Sequence, residues 1–374
     1  MRYHFAVIGA GIAGASVARR LAPAARVLLL ERETQPGYHS TGRSAAIFIP
    51  TYGPPLARAL TAVSRAFYDH PPAGFASRPI LAPRGLLHVA GPGQESRLAT
   101  TLATAAREGV EMCDIGAERA REMVPVLRPQ WVRGAALEPD AMDIDVDALL
   151  QGFLRGARAA GAELVAGAEA SALDRAGAGW RIATTAGVFE ADVIVNAAGA
   201  WADEVARRAG LAPLGLEPRR RSAFVFAAPP GATIEHWPAV LAADESFYFK
   251  PDARQLLGSP ANADPTVAQD VRPEELDIAL GIDRIATATT LEIRRPARTW
   301  AGLRTFSPDG DIVIGFDPRD ERFFWLAGQG GFGIQSAAAA GEVAANELVG
   351  VSLPPAIAAL GVTAAALSPG RLRR

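Results

Sequence analysis

Two continuous apolar runs near the start of the chain, residues 3–8 and 27–30, flank a stretch of helical periodicity at 15–21. Neither run alternates with polar positions, so both strands are expected to be buried on both faces, as in a parallel sheet. Residues 35–43 form a polar, glycine-containing loop. Residues 54–68 are predicted helical, with Pro54 and Pro55 near the start, where a missing N–H costs little. A strand at 86–89 and a helix at 98–108 follow. The segment 145–160 opens on acidic residues and sets Leu149, Leu150, Phe153, Leu154 and Ala157 along one helical face. Residues 163–165, 180–184 and 192–195 read as strands.

The middle of the chain changes character. Residues 222–226, 246–249 and 255–257 are short, aromatic or β-branched, and separated by proline-rich turns, which predicts an antiparallel sheet. A helix at 273–286 is followed by buried-strand patterns at 312–314 and 323–326. A glycine-rich turn then leads into a long helix, 334–349. The fold class is therefore α/β, with one unit built from both ends of the chain (1–85, 142–215 and 300–374). A second, α+β unit (86–141 and 216–299) interrupts it with a mostly antiparallel sheet.

Composition narrows the function classes. Hydrophobic residues make up 49% of the 374 positions and charged residues 21%, an ordinary globular balance. With a formal net charge of −2 there is no basic field to favour nucleic acid, and no polybasic run to favour a membrane surface. No apolar stretch reaches the ~18–20 residues needed to span a bilayer. The first apolar run ends in a glycine turn rather than a leader cleavage site, so a cytoplasmic protein is expected. A single cysteine, Cys113, excludes an intrachain disulfide and any cysteine-based metal site, and no histidine pair has metal-ligand spacing.

The chemistry starts at Gly9-Ala10-Gly11-Ile12-Ala13-Gly14, between the first strand and its helix. Gly9 permits a tight turn, Gly11 lets the backbone approach a pyrophosphate, and Gly14 lets helix and strand pack closely. The helix N-terminus supplies N–H groups and a positive dipole end. Glu31 ends the second strand about 20 residues on, where its carboxylate would accept the ribose hydroxyls. This is a Rossmann-type dinucleotide unit. An acid at that position disfavours a 2′-phosphate; NAD and FAD both remain.

Three further segments carry a resemblance. Glu31-Arg32 with the loop 35–44 (Ser40, Thr41, Gly42, Arg43 and Ser44) resembles the flavin-side loop of the D-amino-acid oxidase/sarcosine oxidase superfamily. The segment 195–201, with Ala198, Gly199 and Trp201, is similar to that family's strand beside the adenosine. Gly302-Leu303-Arg304, Asp309-Gly310 and 328–335 match its C-terminal flavin segments. The likeness runs from residue 3 to about 368, and within the family it is strongest to D-amino acid dehydrogenases of the D-arginine dehydrogenase type. It implies FAD, held without a covalent link, and adds Ala45, Ala46, Ala170, Gly330, Gly331, Phe332, Gly333, Ile334 and Gln335 to the cofactor residues. Independently, four glycines between 328 and 333 expose N–H groups before a helix N-terminus, an arrangement suited to an anionic reduced flavin.

The resemblance also implies a substrate site. Arg304 matches a carboxylate clamp, for which a guanidinium fork is suited. Tyr52 and Tyr248 match flanking tyrosines, and Arg221 a second arginine near the carboxylate. Gln335 is expected at the pocket. Ile47 stands where the arginine-preferring type has a histidine, and Leu86 where it has an acid. A pocket without that acid cannot neutralise a buried cation, so neutral, apolar D-amino acids are the expected substrates. No lysine lies at 255–258, which favours a quinone or another carrier over oxygen as acceptor. Of the histidines, His39 lies in the flavin-side loop. The competing readings are a glycine/sarcosine-type oxidase, an electron-transfer or partner-binding flavoprotein, and a plain NAD dehydrogenase.

Overall fold

The computed structural model describes residues 2–373. Its first sheet is centred on parallel strands in the order Glu163–Val165, Val27–Leu30, Arg2–Ile8, Gly187–Asn196 and Asp320–Ala327. Val313–Asp317 closes one edge antiparallel. The first half of Gly187–Asn196 pairs instead with Gly179–Thr184, which in turn pairs with Ala170–Ala176. The fully apolar strands predicted at both chain ends are buried on both faces. Helices Ile12–Leu21, Val146–Ala159 and Ala337–Leu348 cover one face through Val17, Leu149, Phe153 and Val343. Trp180, Phe323 and Trp325 pack with helix Ala202–Arg208 on the other.

The second sheet runs Arg298–Phe306, Glu217–Ala227, Gln255–Ser259, Tyr248–Asp252, Ala239–Ala242, Leu86–Ala90, Gly134–Glu138 and Cys113–Asp114. Every pairing is antiparallel except Ala239–Ala242 with Leu86–Ala90. Alternation divides its faces. Leu87, Val89, Phe224, Phe226, Val240 and Phe249 enter a core shared with Ile285 and Ala288 of helix Glu275–Ala288. Their neighbours, among them Leu86, His88, Ala223 and Tyr248, point the opposite way. The ninth strand of this sheet, Asp264–Pro265, pairs antiparallel with the start of Glu217–Ala227, and a small three-stranded sheet holds Ile47–Phe48, Met142–Ile144 and Leu81–Pro83.

Two differences from the sequence expectation matter for the site. Strand Arg298–Phe306 belongs to the second sheet along its whole length, so residues 300–306 do not sit with the last segment of the first unit. The strand expected at 222–226 begins at Glu217. Its first half carries a proline and three consecutive arginines, a polar run that pattern reading assigns to a loop.

Candidate active site

The cradle begins at the turn after the first strand. Gly9 adopts φ +101°, and a Cβ there would stand 2.5 Å from the Ala197 carbonyl oxygen, so no other residue fits. A Cβ on Gly14 would overlap the Gly9 carbonyl, which confirms the close strand–helix packing expected of it. Gly11 is the N-cap of helix Ile12–Leu21, and no side chain caps that end. Its first N–H groups therefore remain available to an external acceptor, apart from Ile12 N–H, which donates to Thr41 Oγ1 at 3.1 Å.

Glu31 is buried at the tip of the second strand. Its Oε2 accepts from Ala10 N–H at 3.0 Å and its Oε1 from Glu33 N–H at 3.0 Å. Burial pushes its carboxyl above the usual range, and those two N–H groups oppose the shift. Glu31 lines the cavity, and each carboxylate oxygen can accept a further hydrogen bond. The Arg32 guanidinium lies 4.8 Å over the Trp201 ring. His39 bonds Glu33 at 2.9 Å and packs against Trp201, which ties it to the Glu31 end of the cavity and away from Arg304.

The loop after the second strand is strapped to the second sheet. Ser40 Oγ donates to Leu303 O at 2.6 Å. Arg43 donates to Val271 O at 3.0 Å and to Ala301 O at 3.2 Å, and pairs with Asp270. Arg43 thus lines the cavity but spends its fork on protein partners.

One continuous cavity runs from Glu31 past the glycine turn to Arg304. On its wall are Gly9, Gly11, Ile12 and Ala13; Arg32, Ser40, Thr41, Arg43, Ser44 and Ala45; Ala170, Ala198, Gly199 and Trp201. Gly302, Gly330, Gly331, Gly333 and Ile334 line the far end together with Arg221, Tyr248 and Arg304. Residues from three distant stretches of sequence therefore meet, as the resemblance implies. Sequence reading missed Glu169, Glu204 and Arg208 at the Glu31 end and Thr305 and Gln329 at the other. Thr305 adjoins Gly302–Arg304 and Gln329 lies inside 328–335, both segments already singled out, though neither residue was named for the site; the first three carry no motif.

Several expected positions lie off the wall. Gly14 acts through packing alone, and Gly42 and Ala46 face a second groove behind the loop. Phe332 turns its ring into the core against Tyr52 and Phe306. Gln335 is a brace: its Oε1 accepts from Ile49 N–H at 3.1 Å and its Nε2 donates to Thr61 Oγ1 at 3.0 Å. Leu86 is buried in an apolar cluster with Ala141 and Ala239, against which the partly buried Ile47 packs, and neither is on the wall. Tyr52 reaches the site through Arg304, whose Nη1 donates to its hydroxyl at 2.9 Å.

The far end is cationic. Arg221 and Arg304 come from adjacent antiparallel strands, with Arg221 opposite Gly302. Residues 302 and 304 share a face, so both guanidiniums point the same way. Among the described residues neither forms an ion pair, and Arg221 Nε is buried without a hydrogen-bond partner. Burial and the field of Arg304 lower Arg221 to about 10. Burial also works against Arg304, but Tyr52 and Tyr248 outweigh it and hold the group above its ordinary value. The exposed Glu245 is the acid whose field reaches both. Two desolvated, unpaired guanidiniums facing one cavity call for an anion.

Residues 4–347 match the model of the FAD dependent oxidoreductase family, DAO. The chain belongs to that family, and its cofactor is FAD. Over 183 residues it is 30% identical to FAD-dependent oxidoreductase domain-containing protein 1 of Bos taurus, covering 42% of this chain and 35% of that protein. The chain thus spans well under two thirds of the bovine relative's length. Glycine oxidase from Geobacillus kaustophilus superposes with TM-score 0.81 at 24% identity, covering 94% of this chain and 95% of that one. L-proline dehydrogenase from P. horikoshii gives TM-score 0.85 at 22% identity, covering 100% and 98%. At these identities the likeness is one of fold. Among the described residues no helix is long and apolar enough to cross a membrane, and no cluster of acids, histidines and cysteines is suited to a metal ion.

Proposed function

We propose that this chain is an FAD-dependent dehydrogenase of D-amino acids with neutral, apolar side chains. The observation that carries the reading is the Arg221–Arg304 pair, unpaired and facing the same cavity as the glycine cradle. In this reading Gly9, Gly11 and the helix behind them hold the pyrophosphate, Glu31 takes the ribose, and Gly330–Gly333 flank the flavin ring. The exposed Cys113 lies at the edge of the second sheet and offers the cavity no thiol, in keeping with non-covalent binding.

FAD held by these residues would supply the hydride acceptor, N5. Arg304 receives the substrate carboxylate, with Arg221 and the hydroxyls of Tyr52 and Tyr248 completing the clamp and fixing Cα. The substrate end of the wall (Arg221, Ala223, Tyr248, Arg304, Thr305 and Gln329) carries no carboxylate or imidazole among the described residues. The amine therefore loses its proton to solvent, and the imino acid product hydrolyses. The same lack of a carboxylate disfavours a cationic side chain. Leu86 and Ile47 stand behind the wall as an apolar layer. Lys250, the chain's only lysine, bonds Asp143 at 2.6 Å in the second groove, away from this cavity. That supports a quinone or other carrier as acceptor.

A second reading, oxidation of glycine or a secondary amine, draws on the likeness to glycine oxidase and L-proline dehydrogenase. Anaerobic flavin bleaching distinguishes the two. D-Leucine, D-methionine and D-phenylalanine are expected to bleach the flavin well ahead of D-arginine, with no response to glycine, sarcosine or L-proline. Preference for D-arginine or for a secondary amine would overturn the proposal.

A further inference from the structure

Glu138 is fully buried, yet it lies off the cavity wall and has no part in the chemistry above. It ends strand Gly134–Glu138, directly opposite Leu86 in the ladder. Its Oε1 accepts from Thr51 N–H at 3.1 Å, and its Oε2 accepts from Thr51 Oγ1 at 2.8 Å. His88 Nε2 stands 3.2 Å from Oε2 and is itself buried. A buried carboxylate survives only with such partners, and removing any of them strands the others. Two of its three contacts go to one residue, the immediate neighbour of Tyr52.

The opposite side of the same loop is held by Gln335, which bonds the backbone of Ile49 on both N–H and C=O and reaches the Tyr52 carbonyl at 3.4 Å. Between these braces the Tyr52 side chain projects to Arg304. Its ring leans on Phe332, and the following residue, Gly53, adopts φ +102° with Phe332 close beneath it. The short loop is therefore pinned from the second sheet by a side-chain carboxylate and from the last helix's approach by a side-chain amide.

We infer that Glu138, supported by His88, is a positioning residue that acts through Thr51 to set the Tyr52 hydroxyl against Arg304 and so tunes carboxylate binding. Tyr52's part in this rests on the proposed substrate site. Without the Glu138 contacts, Thr51 loses its anchor and the Tyr52 hydroxyl samples positions that no longer bridge to the clamp.

The test is a double-mutant cycle on the FAD-loaded protein. The probe is 4-methylpentanoate, D-leucine without its amine, titrated by its perturbation of the flavin absorbance. Glu138→Ala and Tyr52→Phe are each expected to raise its Kd about tenfold, and the double variant no further than the larger single effect. Thr51→Val, which removes only the hydroxyl contact, stands in if Glu138→Ala does not fold; Thr51→Ser is expected to restore wild-type Kd. A purely structural role for Glu138 would lower Tm and leave Kd unchanged, which overturns the inference. So does a double variant whose effect is the product of the two singles. An unchanged Kd in Tyr52→Phe, or no binding by wild type, removes the substrate-site reading itself and this inference with it.

Discussion

Arg221, with its Nε buried and no counter-ion, must cost folding free energy while the site is empty, and that cost is measurable. Arg221, lowered from the ordinary guanidinium range to about 10, is disfavoured in its charged form by about 3 kcal/mol. Arg221→Met removes the charge and keeps much of the apolar stem. After loss of some side-chain contacts, the ligand-free holoenzyme is expected to gain ~1–3 kcal/mol and to melt a few degrees higher. The same change leaves one guanidinium to meet the substrate carboxylate, so Kd for 4-methylpentanoate should rise by about 30-fold, or ~2 kcal/mol. The sign with pH follows from the direction of the shift. The native pKa lies below the unfolded one, so the penalty is complete below about 10 and relieved as pH rises toward the ordinary guanidinium range. The melting advantage of the variant should therefore shrink above about pH 10. Thermal unfolding followed by intrinsic fluorescence, with and without ligand, reads both effects. A variant that melts below wild type and binds the carboxylate unchanged would refute the reasoning, since Arg221 would then be a structural strut.

Gly14→Ala forces a methyl against the Gly9 carbonyl and to 3.2 Å from Val7 Cγ1, so the purified protein should carry little flavin; a full flavin-to-protein absorbance ratio would contradict this. Arg43→Ala cuts the strap to Val271, Ala301 and Asp270 and should cost about 2–4 kcal/mol, seen as a drop in Tm before any loss of substrate affinity. Leu86→Glu buries an unpaired carboxylate in the Ile47 cluster, which should cost about 3 kcal/mol or more without improving kcat/KM for D-arginine. A switch to D-arginine would show that Leu86 reaches substrate after all.

The cradle was legible because its elements are local: a strand, a glycine turn and a helix lie within 21 residues, and each glycine meets a steric demand. Arg221, Tyr248 and Arg304 were found through resemblance, since nothing in their spacing announces that two strands of one ladder aim them together. Ile47 and Leu86 show the limit of matching by position. Both were expected at the substrate pocket, but whether a side chain stands on a wall or behind it depends on backbone placement that no local pattern encodes. Glu138 was invisible for a related reason: an acid in Leu-Glu-Pro-Asp looks solvated until the fold closes over it.

The ladder between Glu217–Ala227 and Arg298–Phe306 has a consequence for how this chain could change over time. Because side chains alternate strictly between faces, inserting or deleting one residue in either strand would turn one guanidinium to the opposite face while the hydrogen bonds re-form one step along. Point substitutions would grade the affinity of the proposed anion site, whereas a one-residue change of length would turn one of its two guanidiniums away. Lineages that keep this use of the fold are thus held to one spacing in two segments some 80 residues apart, the separation being the span from Arg221 to Arg304.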